Sequence, residues 1–119
     1  MELVWCYVTC ASTEEALRIG RAVVEARLAA CANVLPGLTS IYHWQGRIET
    51  GQECALVLKT RAELVEALVA EVRALHSYTV PCVVALPITA GNPDYLSWLA
   101  NETAAATEPS QSAAPSAGS

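Results

Sequence analysis

The groups in this chain that could do chemistry are mainly thiols and imidazoles, since its 119 residues include five cysteines and two histidines. Cys10 ends a predicted strand directly before a predicted helix, where the helix dipole favours a thiolate. Cys31 lies at the start of the next predicted strand. Thiolates prefer soft metal ions, so these two residues are our first candidates for metal ligands. The competing interpretation is that both are small buried side chains.

The spacing of the cysteines does not match a Cys-x-x-Cys metal motif. Cys6 and Cys10 are separated by three residues, and along a strand this spacing puts both sulfurs on one face about 13 Å apart. That distance is too long for one metal ion. All five cysteines lie singly in apolar segments, without the close pairs of a zinc site or a secreted disulfide scaffold. For Cys6 and Cys54 we therefore predict core packing.

Two further candidates carry a nitrogen that could contact a ligand. His76 follows the second predicted helix, where it either caps the last carbonyl groups or acts as a metal ligand or polar pocket wall beside Tyr78. Lys59 is the only lysine and ends an apolar strand, where a charge needs a partner or solvent. A plain surface position is the alternative for Lys59. His43 lies among aromatic residues on a predicted hairpin, where we expect interface packing.

Composition limits the possible functions. The formal net charge is −5, and no basic face is available to neutralise phosphates, which argues against nucleic-acid binding. No apolar run is long enough to span a bilayer, and the first ten residues lack a basic leader before a long apolar stretch. We therefore expect a cytoplasmic protein without a membrane partner.

One strand signal and two helix signals stand out along the chain. Residues 2–10 are rich in Val, Tyr, Trp and Cys, which is typical of a strand. Ser12 and Glu15 have the spacing of a capping box, and Thr60 and Glu63 repeat it. An amphipathic stripe follows each pair, so we predict a helix after each.

A long hairpin is predicted between these two helices. Its first strand covers about residues 32–44 and should bend at Pro36-Gly37. The chain should reverse at Gln45-Gly46, because Gly tolerates the positive φ of a two-residue turn, and return over about residues 47–59. The Tyr, His and Trp residues near the tip provide more apolar surface than one small domain usually covers, which indicates an interface.

The last part of the folded chain predicts a strand and a helix. The continuous apolar run from Cys82 to Leu86 is typical of a strand buried in mid-sheet. Asn92 provides an N-cap for a short helix, and Pro93 suits the first helical position. Residues 104–119 contain too little apolar bulk to fold, so we predict one domain over residues 1–103 and a disordered tail.

The predicted order is β-α-β-β-α-β followed by a terminal helix, which is the α+β, ferredoxin-like split βαβ arrangement. Right-handed crossovers place the first two helices on one face of the sheet. The other face and the sheet edges then need cover, since exposed edges invite pairing. We therefore expect a symmetric homo-oligomer whose hairpins extend neighbouring sheets.

Three sequence blocks resemble the CutA family, whose name refers to divalent-cation tolerance: LAACANVLPGLTSIYHWQGRIE, LVLKT and HSYTVPCVVALPITAGNPDYLSWL. The likeness extends from about Val4 to Leu99. It implies a ferredoxin-like subunit in a compact homotrimer, similar in fold and assembly to the PII signalling proteins. It also implies binding of copper or other divalent metals and a link to metal tolerance, with no settled catalytic reaction.

The chain departs from the family pattern at positions that bear on a metal site. Cys82 stands where a carboxylate commonly follows the proline, and Gln45 replaces the acid of the usual Trp-Glu-Gly-Lys turn. A thiolate at Cys82 would favour Cu(I) or Zn over Mg or Ca. The candidate metal ligands are therefore Cys10, Cys31, His76 and Cys82. The resemblance also implies a cleft between subunits, whose candidate lining residues are Lys59, Trp44 and Tyr78.

Three functions compete. The leading hypothesis is a trimeric, non-catalytic CutA-like protein that binds copper or another divalent metal. The alternative is a PII-like trimer that takes a nucleotide or small anion in the cleft, although the Gln45-Gly46 turn is too short for a ligand-gripping loop. An acylphosphatase-like hydrolase would need a phosphate-cradling loop after the first strand, and residues 10–13 contain neither Gly nor Arg. We therefore do not expect an enzyme.

Overall fold

The computed structural model describes residues 2–103, which form four strands, three α-helices and one short 3₁₀ turn. The strands are β1 (Leu3–Cys10), β2 (Cys31–Trp44), β3 (Arg47–Arg61) and β4 (Val83–Ile88). The helices are α1 (Thr13–Glu25), α2 (Val65–Leu75) and α3 (Pro93–Glu102), and the 3₁₀ turn is Ala62–Leu64. The predicted tail, residues 104–119, lies outside the described residues.

The sheet is antiparallel throughout, in the order β2-β3-β1-β4. This order, with two helical crossovers, confirms the prediction of a ferredoxin-like split βαβ fold. The prediction that the run from Cys82 to Leu86 lies in mid-sheet is wrong, because β4 is the edge strand beside β1. Val84 is 50% exposed and Leu86 is 39% exposed. The apolar run therefore reflects an open sheet surface rather than burial on both faces.

The core fills the space between one face of the sheet and the helices α1 and α2. Alternate residues of β1 point into it, and Cys6 and Cys10 are completely buried there. Cys54 is buried on the neighbouring strand, directly opposite Cys10. The predicted core packing of Cys6 and Cys54 is confirmed. The helices contribute the core side chains Ala16, Ile19, Val23, Leu68 and Val72.

Helix α1 begins where predicted, whereas α2 does not. The Oγ of Ser12 accepts a hydrogen bond from the backbone N–H of Glu15 at 3.1 Å, and the carboxylate of Glu15 accepts from the N–H of Ala11 at 2.8 Å. Thr60 does not cap a helix, because it remains in β3, paired with Val4 and fully buried. The predicted second capping box is wrong, since the ladder between β1 and β3 continues past Thr60 before the chain can turn into α2.

The hairpin of β2 and β3 bends and turns where predicted. Its register shifts between Leu35 and Leu38, on either side of Pro36-Gly37. Gln45 has a φ of 53° and Gly46 a φ of 78°, as a two-residue type I′ turn requires. Large apolar side chains near the tip are exposed, namely Ile41, Tyr42, Trp44 and Ile48.

Helix α3 lies on the face of the sheet opposite α1 and α2. Asn92 caps its first turn and Pro93 occupies the start of the helix, as predicted. The Tyr95 hydroxyl accepts a hydrogen bond from Lys59, and Lys59 alternates along β3 with the core residue Leu58. Among residues 2–103, no helix combines the length and apolarity that a membrane span needs.

Candidate functional site

One cluster brings together three groups that could hold a metal ion. The Cys10 thiol at the end of β1, the Glu15 carboxylate in the first turn of α1 and the His76 imidazole after α2 offer ligand atoms within 4.8 Å of one another. Of the four predicted metal ligands, the described chain brings only Cys10 and His76 together here. Glu15 also belongs to this cluster, although the sequence analysis predicted for it only a role in the capping box of α1.

The hydrogen bonds of His76 define its chemical state. Its Nε2 lies 2.8 Å from the carbonyl oxygen of Thr9, and its Nδ1 lies 3.1 Å from the backbone nitrogen of Tyr78. A carbonyl accepts and an amide donates, so the ring is neutral and carries its proton on Nε2. His76 is the C-cap residue of α2, as one of the two interpretations predicted, and its backbone N–H donates to the carbonyl of Val72. Its ring does not bond to the helix, because the two ring nitrogens contact Thr9 and Tyr78. The ring packs against that of Tyr78, and the two ring centres lie 4.7 Å apart.

Glu15 is 5% exposed, yet both of its carboxylate oxygens have partners. Oε1 accepts from the N–H of Ala11 at 2.8 Å, and Oε2 accepts from the N–H of Ser77 at 2.7 Å. Burial alone would raise the pKa of Glu15, but the hydrogen bonds from Ala11 and Ser77 outweigh it and hold the pKa below its ordinary value. The carboxylate therefore ties the start of α1 to the segment after α2.

Cys10 is a protonated thiol in the resting protein. Burial raises the pKa of Cys10 to about 12, and the Glu15 carboxylate adds to the effect. The prediction that the helix dipole favours a thiolate here is wrong, since Cys10 belongs to the buried core. The three residue types fit a soft or borderline metal ion. To bind at this cluster, the ion must displace the thiol proton and break one of the two hydrogen bonds of the His76 ring.

Cys31 and Lys59 form a separate group at α3, on the sheet face opposite Cys10. They are cross-strand neighbours, and both contact the hydroxyl of Tyr95, with Sγ at 3.5 Å and Nζ at 3.2 Å. Nζ also lies 5.4 Å from the centre of the Tyr95 ring, which is a favourable cation–π distance. Lys59 thus has the partner that a charge on an apolar strand requires. Cys31 does not join the Cys10 cluster.

A second site is a cavity of about 670 Å³ between the hairpin, β1 and the segment after α2. Trp44 and Tyr78, two of the three predicted cleft residues, line it together, and Cys82 also lines it. Lys59 is not among the lining residues in the described chain, and its place between subunits stays a prediction. The lining residues are Tyr7, Thr9, Ser40, Tyr42, Trp44, Glu53, Ser77, Tyr78, Thr79, Val80 and Cys82.

Glu53 supplies the charge in this cavity. Its carboxylate accepts hydrogen bonds from the hydroxyl of Ser40 at 2.5 Å and from the hydroxyl of Tyr78 at 2.7 Å. Burial raises the pKa of Tyr78, and the hydrogen bond to Glu53 raises it further, so the phenol keeps its proton. The sequence analysis missed Glu53. The sequence feature that could have indicated Glu53 is its position directly before the buried run of β3, which begins at Cys54.

Comparison with known proteins identifies the family. A family model described as CutA1 divalent ion tolerance protein matches residues 4–102. The chain belongs to the CutA1 family. The divalent-cation tolerance protein CutA of Thermus thermophilus is 52% identical over 96 residues, which cover 81% of this chain and 93% of that protein. The CutA protein of Mus musculus is 50% identical over 93 residues, but they cover 78% of this chain and only 52% of the mouse protein.

Solved structures of CutA1 proteins have the same fold. CutA1 from Oryza sativa is 42% identical, with a TM-score of 0.85 over 87% of this chain and 95% of that chain. CutA from Xylella fastidiosa is 40% identical, with a TM-score of 0.84 over 87% of this chain and 100% of that chain. Sequence and fold therefore agree on the CutA1 family.

Proposed function

We propose that this protein serves divalent-cation tolerance by binding a metal ion as a homotrimer in the cytoplasm, without catalysing a reaction. Membership of the CutA1 family supports the tolerance role, since relatives in Thermus thermophilus and Archaeoglobus fulgidus are named for it. The metal part of the proposal depends on one observation, the convergence of Cys10, Glu15 and His76. All five cysteines are free thiols, which suits a reducing compartment.

The donor set at this cluster favours copper or zinc. A thiolate, an imidazole and one carboxylate suit these ions better than they suit Mg or Ca. The ion must compete with the proton of Cys10, whose pKa burial raises to about 12. Binding therefore releases a proton, and the affinity should increase with pH.

Exposed apolar surface supports the homotrimer. In a single chain Ile41 is 73% exposed and Ile48 is 69% exposed on the hairpin, and Val84 is 50% exposed on the edge strand β4. Burying such surface against identical copies contributes about 25 cal/mol per Å². Sedimentation equilibrium of the full chain should give three times the subunit mass of 12.6 kDa. A compact, fully folded monomer would contradict the proposed assembly.

The alternative, a nucleotide or small anion in the cleft, is not favoured by the cavity. Among its lining residues within the described chain, Glu53 carries a charge and there is no lysine or arginine. The wall that one chain contributes to the cleft therefore disfavours phosphate. The acidic net charge of −5 points the same way.

Calorimetric titration of the reduced full chain with Cu(I), Cu(II) and Zn tests the metal proposal. We expect saturable binding that strengthens as the pH rises and that is lost in Cys10→Ser and His76→Gln. Cys31→Ser is the matched control, because it removes another buried thiol from outside the cluster and should leave binding unchanged. Absence of saturable binding, or binding that Cys10→Ser and His76→Gln do not alter, would contradict the proposal.

A further inference from the structure

We propose that Cys10 and Cys54 form a reversible disulfide bond within one chain, and that this bond removes a ligand from the metal cluster under oxidising conditions. One juxtaposition carries the proposal. Cys10 is the last residue of β1, and Cys54 of β3 lies directly opposite it in the antiparallel register. Both are free thiols in this structure. The bond itself does not depend on the metal function, and only its effect on metal binding rests on that function.

The register places the two thiols on the same face of the sheet. Directly opposite residues of an antiparallel pair point to the same side, and both side chains belong to the hydrophobic core beneath α1 and α2. Cys10 is 0% exposed and Cys54 is 2% exposed. Their contact therefore lies inside one subunit and does not depend on what covers the open face of the sheet.

None of the other three cysteines, all of which lie within residues 2–103, has this relation to Cys10. Cys6 belongs to the same core but lies four residues earlier in β1, which is about 13 Å along a strand. Cys31 lies on the opposite face, at α3. Cys82 is exposed, whereas Cys10 is buried. A disulfide needs Cα atoms within about 7 Å and side chains that point towards each other, so Cys54 is the partner.

The expected backbone geometry suits a disulfide that forms with some strain. Opposite residues of an antiparallel pair have Cα atoms about 4.5–5.5 Å apart, within the range of about 4.4–6.8 Å that disulfides show. Their Cβ atoms are about 4.5–5.5 Å apart, slightly more than the 3.5–4.5 Å that is typical of disulfides. The two residues form the last pair of their ladder, where the strands can approach without disturbing the rest. Strain makes a disulfide easier to reduce, so this bond should be reversible.

A low-molecular-weight disulfide such as glutathione disulfide supplies the oxidant. The thiolate of one cysteine attacks it, forms a mixed disulfide and releases one glutathione, and the second cysteine then displaces the second glutathione. Overall, the glutathione disulfide bond and two protein S–H bonds break, while one protein disulfide and two glutathione S–H bonds form. Two electrons and two protons thus pass from the protein to glutathione. Because both thiols are buried, the exchange requires local opening at the end of β1 and should be slow.

The same bond would remove a donor from the metal cluster. The Sγ atom of Cys10 is one of the three ligand atoms that lie within 4.8 Å of one another, and Cys54 is not part of that group. A metal ion binds the thiolate form of cysteine, which a sulfur in a disulfide no longer provides. Cys54 therefore acts on metal binding through Cys10 and not as a ligand of its own.

Equilibration of the full chain in glutathione buffers tests the bond itself. The buffers contain EDTA to prevent metal-catalysed oxidation, and the remaining thiols are alkylated in denaturant after an acid quench. At high ratios of glutathione disulfide to glutathione, the mass of the intact chain should show the loss of two hydrogen atoms, and reduction should reverse it. After trypsin digestion the crosslink should join peptides 1–18 and 48–59, and fragmentation should assign it to Cys10 and not to Cys6.

A matched pair of variants connects the bond to metal binding. Cys54→Ala and Cys6→Ala each remove a buried thiol from the core, but only Cys54→Ala should abolish the crosslink. Calorimetric titration with Zn, after removal of glutathione and EDTA, measures the consequence. Oxidised wild type should lose saturable Zn binding and regain it on reduction, whereas Cys54→Ala should keep it after the same oxidising treatment.

Several results would overturn the proposal. They are full alkylation of Cys10 and Cys54 at the most oxidising ratio, a crosslink that joins other cysteines equally often, or equal loss of the crosslink in Cys6→Ala and Cys54→Ala. The two proposals fail in different ways. A crosslink between Cys10 and Cys54 in a chain that binds no Zn when reduced would support the disulfide and contradict the metal function. Zn binding by the reduced chain without any crosslink under oxidation would contradict the disulfide alone.

Discussion

Replacing Glu15 with glutamine tests how a buried hydrogen-bond network holds the fold together. The carboxylate accepts from the backbone N–H groups of Ala11 at 2.8 Å and Ser77 at 2.7 Å. A glutamine has one oxygen, so its NH₂ group must face one of these two donors. The buried N–H left without a partner costs about 1–3 kcal/mol, and the other bond loses about 1 kcal/mol of charge assistance. We therefore expect Glu15→Gln to lower the free energy of unfolding by about 2–4 kcal/mol at neutral pH.

The same network makes this loss depend on pH. Burial alone would raise the pKa of Glu15, but the hydrogen bonds from Ala11 and Ser77 hold it below the ordinary value of 4.5. A carboxyl group whose folded pKa is depressed contributes stability that is present above its unfolded pKa and is lost as the pH falls through the folded pKa. The difference between wild type and Glu15→Gln should therefore be constant near neutrality and shrink below pH 4.5.

Equilibrium unfolding in guanidinium chloride, at one fixed protein concentration, measures this difference. Glu14→Gln is the matched control, because Glu14 lies beside Glu15 in the first turn of α1 but is exposed. Glu14→Gln should lower the free energy of unfolding by only about 0.3–1 kcal/mol, because it removes a favourable interaction with the helix dipole. Equal losses in the two variants, or a loss in Glu15→Gln that does not shrink in acid, would contradict this account of the network.

Further predictions concern packing, the hairpin turn and the thiols. In the same unfolding assay, Gly20→Ala should lower the free energy of unfolding by about 1–3 kcal/mol, although alanine has the better helix propensity. The reason is that the new Cβ would lie 3.0 Å from the Cβ of Ala32. Gly46→Ala should lower the free energy of unfolding by about 1–2 kcal/mol, because Gly46 has a φ of +78°. Gly51→Ala is the control, since a Cβ at that position would meet only ordinary contacts. A thiol reagent should label Cys82 first, as mass spectrometry of the native protein can show, because the other four cysteines are buried. Faster labelling of a buried thiol would contradict the described packing.

The parts of the fold that depend on local signals could be predicted from the sequence. The Ser12 cap of α1 and the Gln45-Gly46 turn each depend on residues a few positions apart. Thr60 was wrongly predicted to cap a helix because its spacing from Glu63 also suits a capping box. Its place in β3 depends instead on pairing with Val4 of β1, which is distant in the sequence. The apolar run of β4 was wrongly predicted to lie in mid-sheet. A strand buried on both faces and an edge strand with an open apolar surface contain the same residue types.

The candidate site was only partly predictable, because its contacts join distant segments. His76 and Tyr78 stood out by residue type and by their position after a helix. The bond between Glu15 and Ser77 spans 62 positions, and no spacing rule in a single sequence indicates it. Glu53 lies 25 positions from Tyr78, and the register of the bulged hairpin determines that they meet.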